Sequence, residues 1–522
     1  MTSSTPASHS SRRLQTVLVL VCLLALTGVT GIIVACSNGN STATSGMAEV
    51  KTTISDPATC AAPDGPYSAV WVTITDVQAS TSATAGATDS SWVDLTPNLS
   101  KNNDAVQVNL LGAADNQCFL ASLGDNMELQ AGSYQQIRLI LAQTTAGLTL
   151  SSGTSTSMNS TDMCQGSGAA NCVVMGTGNN AQTYPLQLSS EAQTGLKIPS
   201  GQIAGGAFTI SAGQTKDLNV DFNTCSSIVQ EGNGQFRLKP VLHAGEASTT
   251  SVSLNGTVVD STGTAVANAM VAVEQQDSST PSVDRIVQVA KTGSDGTWVI
   301  CPLAGDPRRP YDIVVVGTDS TGILQSPVVI TGLSGGQAIG KITLSLPTTG
   351  LTTPLTATTA TANLAGQVDT TSATSAGISM DVATSVLEQV NGQIYTIPLP
   401  YTQTATVMQT EGSAWLNLQT AGNQTPVCKN SNNFCANYNV LLPVTAAFYG
   451  SWSGSSFSLT APATAYASYV IDGVASGASD SSITPAGTTG CSPNEMQSAA
   501  VALTGSTTYP AAVAELDFTS CQ

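Results

Sequence analysis

Charge is scarce in this chain. Only 9% of its residues are Asp, Glu, Lys or Arg, against roughly 25% in an ordinary globular protein. Its wettable surface must therefore come from Ser, Thr, Asn, Gln and Gly, a composition that suits exported and cell-surface proteins better than cytosolic enzymes. What charge there is leans acidic, with 33 acids, 15 bases and a net charge of −18. Such a field repels phosphate backbones and anionic headgroups, so no nucleic-acid partner is expected. Histidine is scarcer still, only His9 and His243. A Ser-His-Asp or Cys-His centre must use His243 or none, and a zinc site with two histidine ligands from the mature chain is excluded. The C-x-x-C clusters of zinc sites and the dense acidic loop of an EF-hand are also missing. Neither a metal nor a cofactor is expected. Long apolar segments of period 3.6 are absent, which excludes a helical bundle.

With 41% hydrophobic residues over 522 positions, the chain can bury real cores and has room for about three domains. Arg12 and Arg13 precede an apolar run from Val17 to Ala35, the basic-then-apolar order of an export signal. The run ends Ile33-Val34-Ala35-Cys36, which resembles the lipobox of bacterial lipoproteins. That resemblance implies removal of residues 1–35, diacylglycerol on the Cys36 thiol and acylation of the new amino group. Several acyl chains on one residue anchor far more firmly than one. An uncleaved membrane helix and a lipid-free cleavage are the rival readings. Ser37, rather than Asp, follows the cysteine, which favours the outer membrane or cell surface. Residues 36–48 read as a flexible tether.

An oxidising compartment makes disulfides the default for the remaining cysteines. Cys164 with Cys172 and Cys428 with Cys435 are local pairs in polar loops, and Cys491 with Cys521 would tie the C-terminus to the body. Cys60, Cys118, Cys225 and Cys301 have three possible pairings. Cys301 lies in a different domain from the other three, which leaves a buried free thiol open for it.

Period-two patterning dominates. Val70, Val72 and Ile74, then Ile137, Leu139 and Leu141, then Leu218, Val220 and Phe222 alternate mainly with polar residues. These read as half-buried strands, and the expected class is all-β, built as serial β-sandwich domains. Residues 49–246 carry the opening strand Val70–Val77, then Ser91-Trp92-Val93-Asp94-Leu95, then Leu129-Gln130-Ala131-Gly132-Ser133-Tyr134, with Ile137-Arg138-Leu139, and Phe236-Arg237-Leu238. In these features the segment resembles a bacterial extracellular family known as domain of unknown function 4382, which implies a sandwich and brings no catalytic residue. Residues 251–346 open Leu254-Asn255-Gly256-Thr257-Val258 and carry the turn-then-strand segment Gly293-Ser294-Asp295-Gly296-Thr297-Trp298. They resemble the carboxypeptidase regulatory-like, transthyretin-like sandwich, which implies a spacer or docking module. Residues 347–361 are a Thr/Pro-rich, extended linker. Residues 362–522 form a C-terminal β domain of no recognised family, with a hairpin at Asn391-Gly392.

No catalytic residue is nominated. His243 reads as a domain-edge histidine, and no acid pair stands out for glycoside hydrolysis. Asp295 and Asp306 read as turn residues and Arg308-Arg309 as a solvated loop. Trp452, flanked by Gly450-Ser451 and Ser453-Gly454, is the one candidate for ligand stacking, against packing in a core. Trp71, Trp92, Trp298 and Trp415 read as core. The expected function is non-enzymatic: a lipid-anchored cell-envelope protein for binding, adhesion or scaffolding, joined to the membrane through its anchor and to a glycan or envelope protein. The alternatives are a carbohydrate-binding surface lipoprotein and, behind it, a carboxylate-dependent hydrolase.

Overall fold

A computed structural model describes most of residues 46–518. Outside the description lie 1–45, 56–66, 112–120, 153–161, 189–194, 248–252, 371–378, 400–413, 421–433, 480–494, 505–513 and 519–522, with shorter stretches between them. The expected signal, the Cys36 anchor and the Cys428–Cys435 and Cys491–Cys521 pairs fall on residues or side chains outside it. Contacts divide the chain into Met1–Met47 and Ala48–Gln522, and the second unit carries the fold.

That unit is all-β, as the period-two patterning requires. The first part is a sandwich. Strand β1 (Met47–Ser55) runs parallel to β4 (Thr215–Phe222), which pairs antiparallel with β5 (Leu242–Glu246). Against this sheet packs a larger one centred on β2 (Tyr67–Ser80), flanked by β3 (Gln136–Leu141) and the strand Cys172–Met175. Val70, Ile74, Leu139, Val220 and Phe222 fill the space between them. The strands are less one-sided than their alternation suggests. Gln136, Asn219 and Asp221 are as buried as their apolar neighbours, because the outer face is covered too. There Asn219 donates to Ser55 Oγ at 2.8 Å, and Ser55 Oγ donates to Asp221 Oδ1 at 3.0 Å.

The two family-like motif segments of this sandwich meet in space. The Arg138 guanidinium lies 4.2 Å from the Trp92 ring centroid, a cation–π contact, and donates through Nε to Gln78 at 2.8 Å. Trp92 and Trp71 are only half-buried, Trp298 is buried, and the Trp415 side chain lies outside the description. Cys164 and Cys172 form the expected disulfide. Cys301 is disulfide-bonded as well, which corrects the reading of a free thiol.

The middle part has a small sheet, β6 (Leu254–Val259) between β9 (Thr297–Ile300) and β12 (Ala338–Thr343). It faces β7 (Met270–Gln276), β8 (Val283–Lys291), β10 (Tyr311–Val316) and β11 (Val328–Leu333). Glycine at 256 lets the backbone pass close to Trp298 and β12: a Cβ there would stand 2.9 Å from the Gly340 carbonyl oxygen and 3.1 Å from the indole. Asp260 folds its turn by accepting the Thr262 and Thr264 amides at 2.9 and 3.0 Å. The same Asp-Ser-Thr-Gly tetrapeptide recurs at 319–322, where Asp319 accepts the Thr321 and Ile323 amides.

The last part adds β13 (Thr361–Thr370), β14 (Ser379–Val390), β15 (Gln393–Thr396), β16 (Phe434–Pro443), β17 (Phe448–Ser451), β18 (Ser468–Ser479), β19 (Glu495–Gln497) and β20 (Ala514–Phe518). The Asn391-Gly392 hairpin forms as read, with φ of 52° and 89° at the two turn residues, the left-handed pair a two-residue turn requires. These strands do not build a separate sandwich. They extend the middle sheet into one continuous order, β17-β11-β10-β7-β8-β15-β14-β18-β19. A further sheet, with β13 between β16 and β20, covers its far face.

Parity shows the consequence. Val271, Val273, Ile313 and Val315 point into the core under the small sheet. Met270, Ala272, Val314 and Val316 point the other way, into a core shared with Val386, Val440 and Leu442. Strands covered on both faces read as continuous apolar runs, and Ile-Val-Val-Val of β10 is one. The stretch 347–361 is therefore not a free extended linker: Leu355 is buried in the shared core, Leu351 packs against it, and the Thr352 amide donates to Tyr466 Oη at 3.0 Å.

Arg285 of β8 pins this join. Only 1% exposed, it contacts Asp277, Asp472 of β18 and, at 2.7 Å, Glu495 of β19. Removing one partner of a buried charge network strands the others. Arg285→Met should cost roughly 3–5 kcal/mol in urea unfolding, whereas a loss below about 1 kcal/mol, the worth of a surface pair, would mean the network does not hold the join. Reducing Cys164–Cys172, or replacing both cysteines by alanine, should cost about 2–3 kcal/mol in the same assay.

Candidate functional site

The long sheet curls until strands far apart in its order line one groove. On one side stand Leu387, Glu388, Gln389 and Val390 of β14 with Asn391 of the hairpin. On the other stand Ala446, Ala447 and Tyr449, followed by 460–464 and Tyr466. Gln497 and Ala500 complete a volume of about 760 Å³, within the range of small-molecule clefts.

Its side chains come from ordinary strand geometry. Val386, Glu388 and Val390 share one face of β14, and both valines belong to the shared core. Glu388 thus points inward, where its Oε1 accepts the Ala447 amide at 3.1 Å. The carboxyl satisfies a backbone donor at the seam the sheet does not close. Its second oxygen has no partner among the described residues, and burial pushes its pKa up to about 8. Both tyrosines are pinned by their hydroxyls. Tyr449 Oη lies 3.1 Å from Ser451 Oγ and 3.3 Å from Thr331 Oγ1. Tyr466 Oη accepts from the Thr352 amide and lies 2.9 Å from Thr352 Oγ1. Around them the rim is amide and hydroxyl: Gln389, Asn391, Thr460, Thr464, Ser468 and Gln497.

More acids lie on the shared-core face beside the groove, Glu274 and Asp284 buried and Asp312 half-buried. Glu274 and Asp312 stand opposite each other in register, and Asp284 pairs with Tyr395. Glu274 Oε2 accepts the Thr396 amide at 3.1 Å, and Asp312 Oδ1 accepts the Gly332 amide at 2.9 Å. Burial raises all three: Glu274 well above its usual range, Asp284 to about 7 and Asp312 to about 6. Among the described residues, no group of three or more His, Cys, Asp or Glu side chains is arranged to hold a metal ion.

The residues singled out in the sequence are scattered. His243 is 2% exposed, opposite Asp221 on the neighbouring strand. Burial lowers its pKa to about 4 and raises that of Asp221 to about 7. Trp452 is half-buried over the middle core with its ring 6.3 Å from that of Phe457. Its indole is committed to packing and does not line the groove. Asp295 spends its carboxylate on the Thr297 amide and hydroxyl, and Asp306 on the Arg308 guanidinium at 2.8 and 2.9 Å. The groove residues were not nominated from sequence. The available signal was the lone acid Glu388 among Val386, Leu387 and Val390 in a strand bounded by an Asn-Gly turn.

Residues 47–240 match the family model "Domain of unknown function (DUF4382)". No curated protein matches the chain. Among solved structures, the Bacillus anthracis TIE protein aligns at 9% identity over 91% of this chain and 51% of its own, with a TM-score of 0.14. A leucine-rich repeat protein from Bacteroides thetaiotaomicron aligns at 11% identity over 52% of this chain and 27% of its own, with a TM-score of 0.18. The shaft pilin spaA from Lactobacillus rhamnosus GG aligns at 8% identity over 57% of this chain and 97% of its own, with a TM-score of 0.15. The chain spans about half the length of the first and about a quarter of the second. These values are too low to carry function from those proteins to this one.

The buried groups set opposing pH limbs. His243 has a folded pKa near 4 against 6.5 unfolded, so the unfolded chain binds more protons between those values and stability falls as pH drops through them. Glu388 has a folded pKa near 8 against 4.5 unfolded. Here the folded state binds more protons, and stability falls as pH rises from that lower value toward the upper one. Glu388→Gln should raise Tm more at pH 8 than at pH 5, and His243→Gln should flatten the acid limb. Thermal melts across this range check both. An equal gain from Glu388→Gln at both pH values would show that the carboxyl is not held neutral.

Proposed function

We propose that this chain is a lipid-anchored protein of the cell envelope whose β body binds or scaffolds and does not catalyse. The groove of about 760 Å³ carries the binding part of this reading. It is of ligand size, its aromatic rings are fixed in advance, and the one acid in its lining is buried and tied to a backbone amide. Among the described residues, the lining holds no second acid and no histidine to pair with it for general acid–base work. The anchoring part rests on Arg12, Arg13, the apolar run and Cys36. The low charge and the disulfides support export. Carbohydrate binding is the second reading, favoured now by the pinned Tyr449 and Tyr466 rather than by Trp452.

Metabolic labelling with a fatty acid, in wild type and Cys36→Ala, tests the anchor, and protease treatment of intact cells tests the location. The expected result is label in wild type, none in the variant, and cleavage on intact cells. Label retained by Cys36→Ala would overturn the anchor, and full protection would move the protein to the inner side of the envelope.

A further inference from the structure

We propose that the groove between β14 and the Ala447–Tyr466 side is a binding site for an uncharged oligosaccharide, with Tyr449 and Tyr466 as stacking platforms and Gln389, Asn391 and Gln497 as its hydrogen-bonding rim. The proposal rests on the reading of the chain as a binding protein and names the class of ligand.

The chemistry of the lining selects that class. Two tyrosines whose hydroxyls are already engaged by Thr352 and by Thr331 and Ser451 present rings that lose little freedom when a ligand arrives. Both rings are partly buried against the shared core, and unlike Trp452 both also line the groove. With the hydroxyls engaged, the part of each ring that faces the groove can stack on the C–H faces of a sugar. The rim supplies carboxamides, which both donate and accept, as ligand hydroxyls do. Among the described residues of the lining, Glu388 is the only charged one, and its carboxyl is buried and tied to a backbone amide. The described lining therefore offers no cation to an acidic ligand and no exposed carboxylate to a basic one. The net charge of −18 further disfavours polyanions. A purely apolar ligand would leave the rim amides unpaired on desolvation.

The test titrates the mature chain calorimetrically with neutral hexasaccharides of glucose, mannose and N-acetylglucosamine, with an oligogalacturonate and an unstructured peptide as contrasts. At least one neutral hexasaccharide should bind. Tyr466→Ala should weaken it about tenfold, Tyr466→Phe should retain most of the affinity, and Trp452→Phe, outside the groove, should leave it unchanged. Gln389→Ala, on the exposed rim, should weaken binding roughly fivefold and decides the matter if Tyr466→Ala does not fold. Binding of no neutral hexasaccharide, tighter binding of the oligogalacturonate or peptide, or equal affinity in Tyr466→Ala and Tyr466→Phe would overturn the proposal. Fatty-acid labelling at Cys36 is independent of all these outcomes, so failure of the site and failure of the envelope reading remain distinguishable.

Discussion

The sheet that runs from β17 to β19 has to be covered on both faces, and the rest of the molecule is arranged around that requirement. Strands β7, β8 and β10 place apolar side chains on each side of the same backbone. Left bare, either face would expose a broad hydrophobic patch to water. The small sheet of β6, β9 and β12 covers one face, and the sheet of β13, β16 and β20 covers the other. Neither outer layer has a core without the shared strands. The middle and last parts of the chain therefore behave as one body, and Arg285, with its acids on β18 and β19, crosses the join.

A sheet sealed on both sides has no solvent edge for its polar positions, so these are buried with it. Glu274, Asp284, Asp312 and Glu388 sit in or beside apolar cores, and burial favours their neutral forms. The same pressure acts on Asp221 and His243 at the seam with the first sandwich, in opposite directions for acid and base. These groups make the body sensitive to pH from within, although its surface carries few charges.

The groove follows from the same geometry. A long twisted sheet curls, and here it curls until β14 and β18 approach the turn before β17 without pairing fully. A carboxyl bridges the gap where a backbone carbonyl would have stood in a closed barrel. What remains above it is a cleft with fixed walls, lined by residues distant in sequence, such as Gln389 and Tyr466.

Much was legible beforehand. The all-β class followed from period-two runs such as Val70–Ile74. The Cys164–Cys172 bridge followed from local spacing in a chain that reads as exported. The hairpin followed from Asn391-Gly392, since that dipeptide tolerates the positive φ values the turn demands. Each of these is a local property, decided by a few neighbouring residues. The sharing of one sheet by two expected domains, the burial of Leu355 in a stretch that reads as a linker, the commitment of Trp452 to packing and the meeting of Glu388 with Ala447 were not legible. Alternation states that a strand has two faces, but not whether the second meets water or another layer. The sequence determined strands, turns and the export-like start, because short-range sterics and composition suffice for those. Only the tertiary structure decided which faces are sealed and where the curled sheet stops short of closing, because both depend on contacts between strands far apart in the chain.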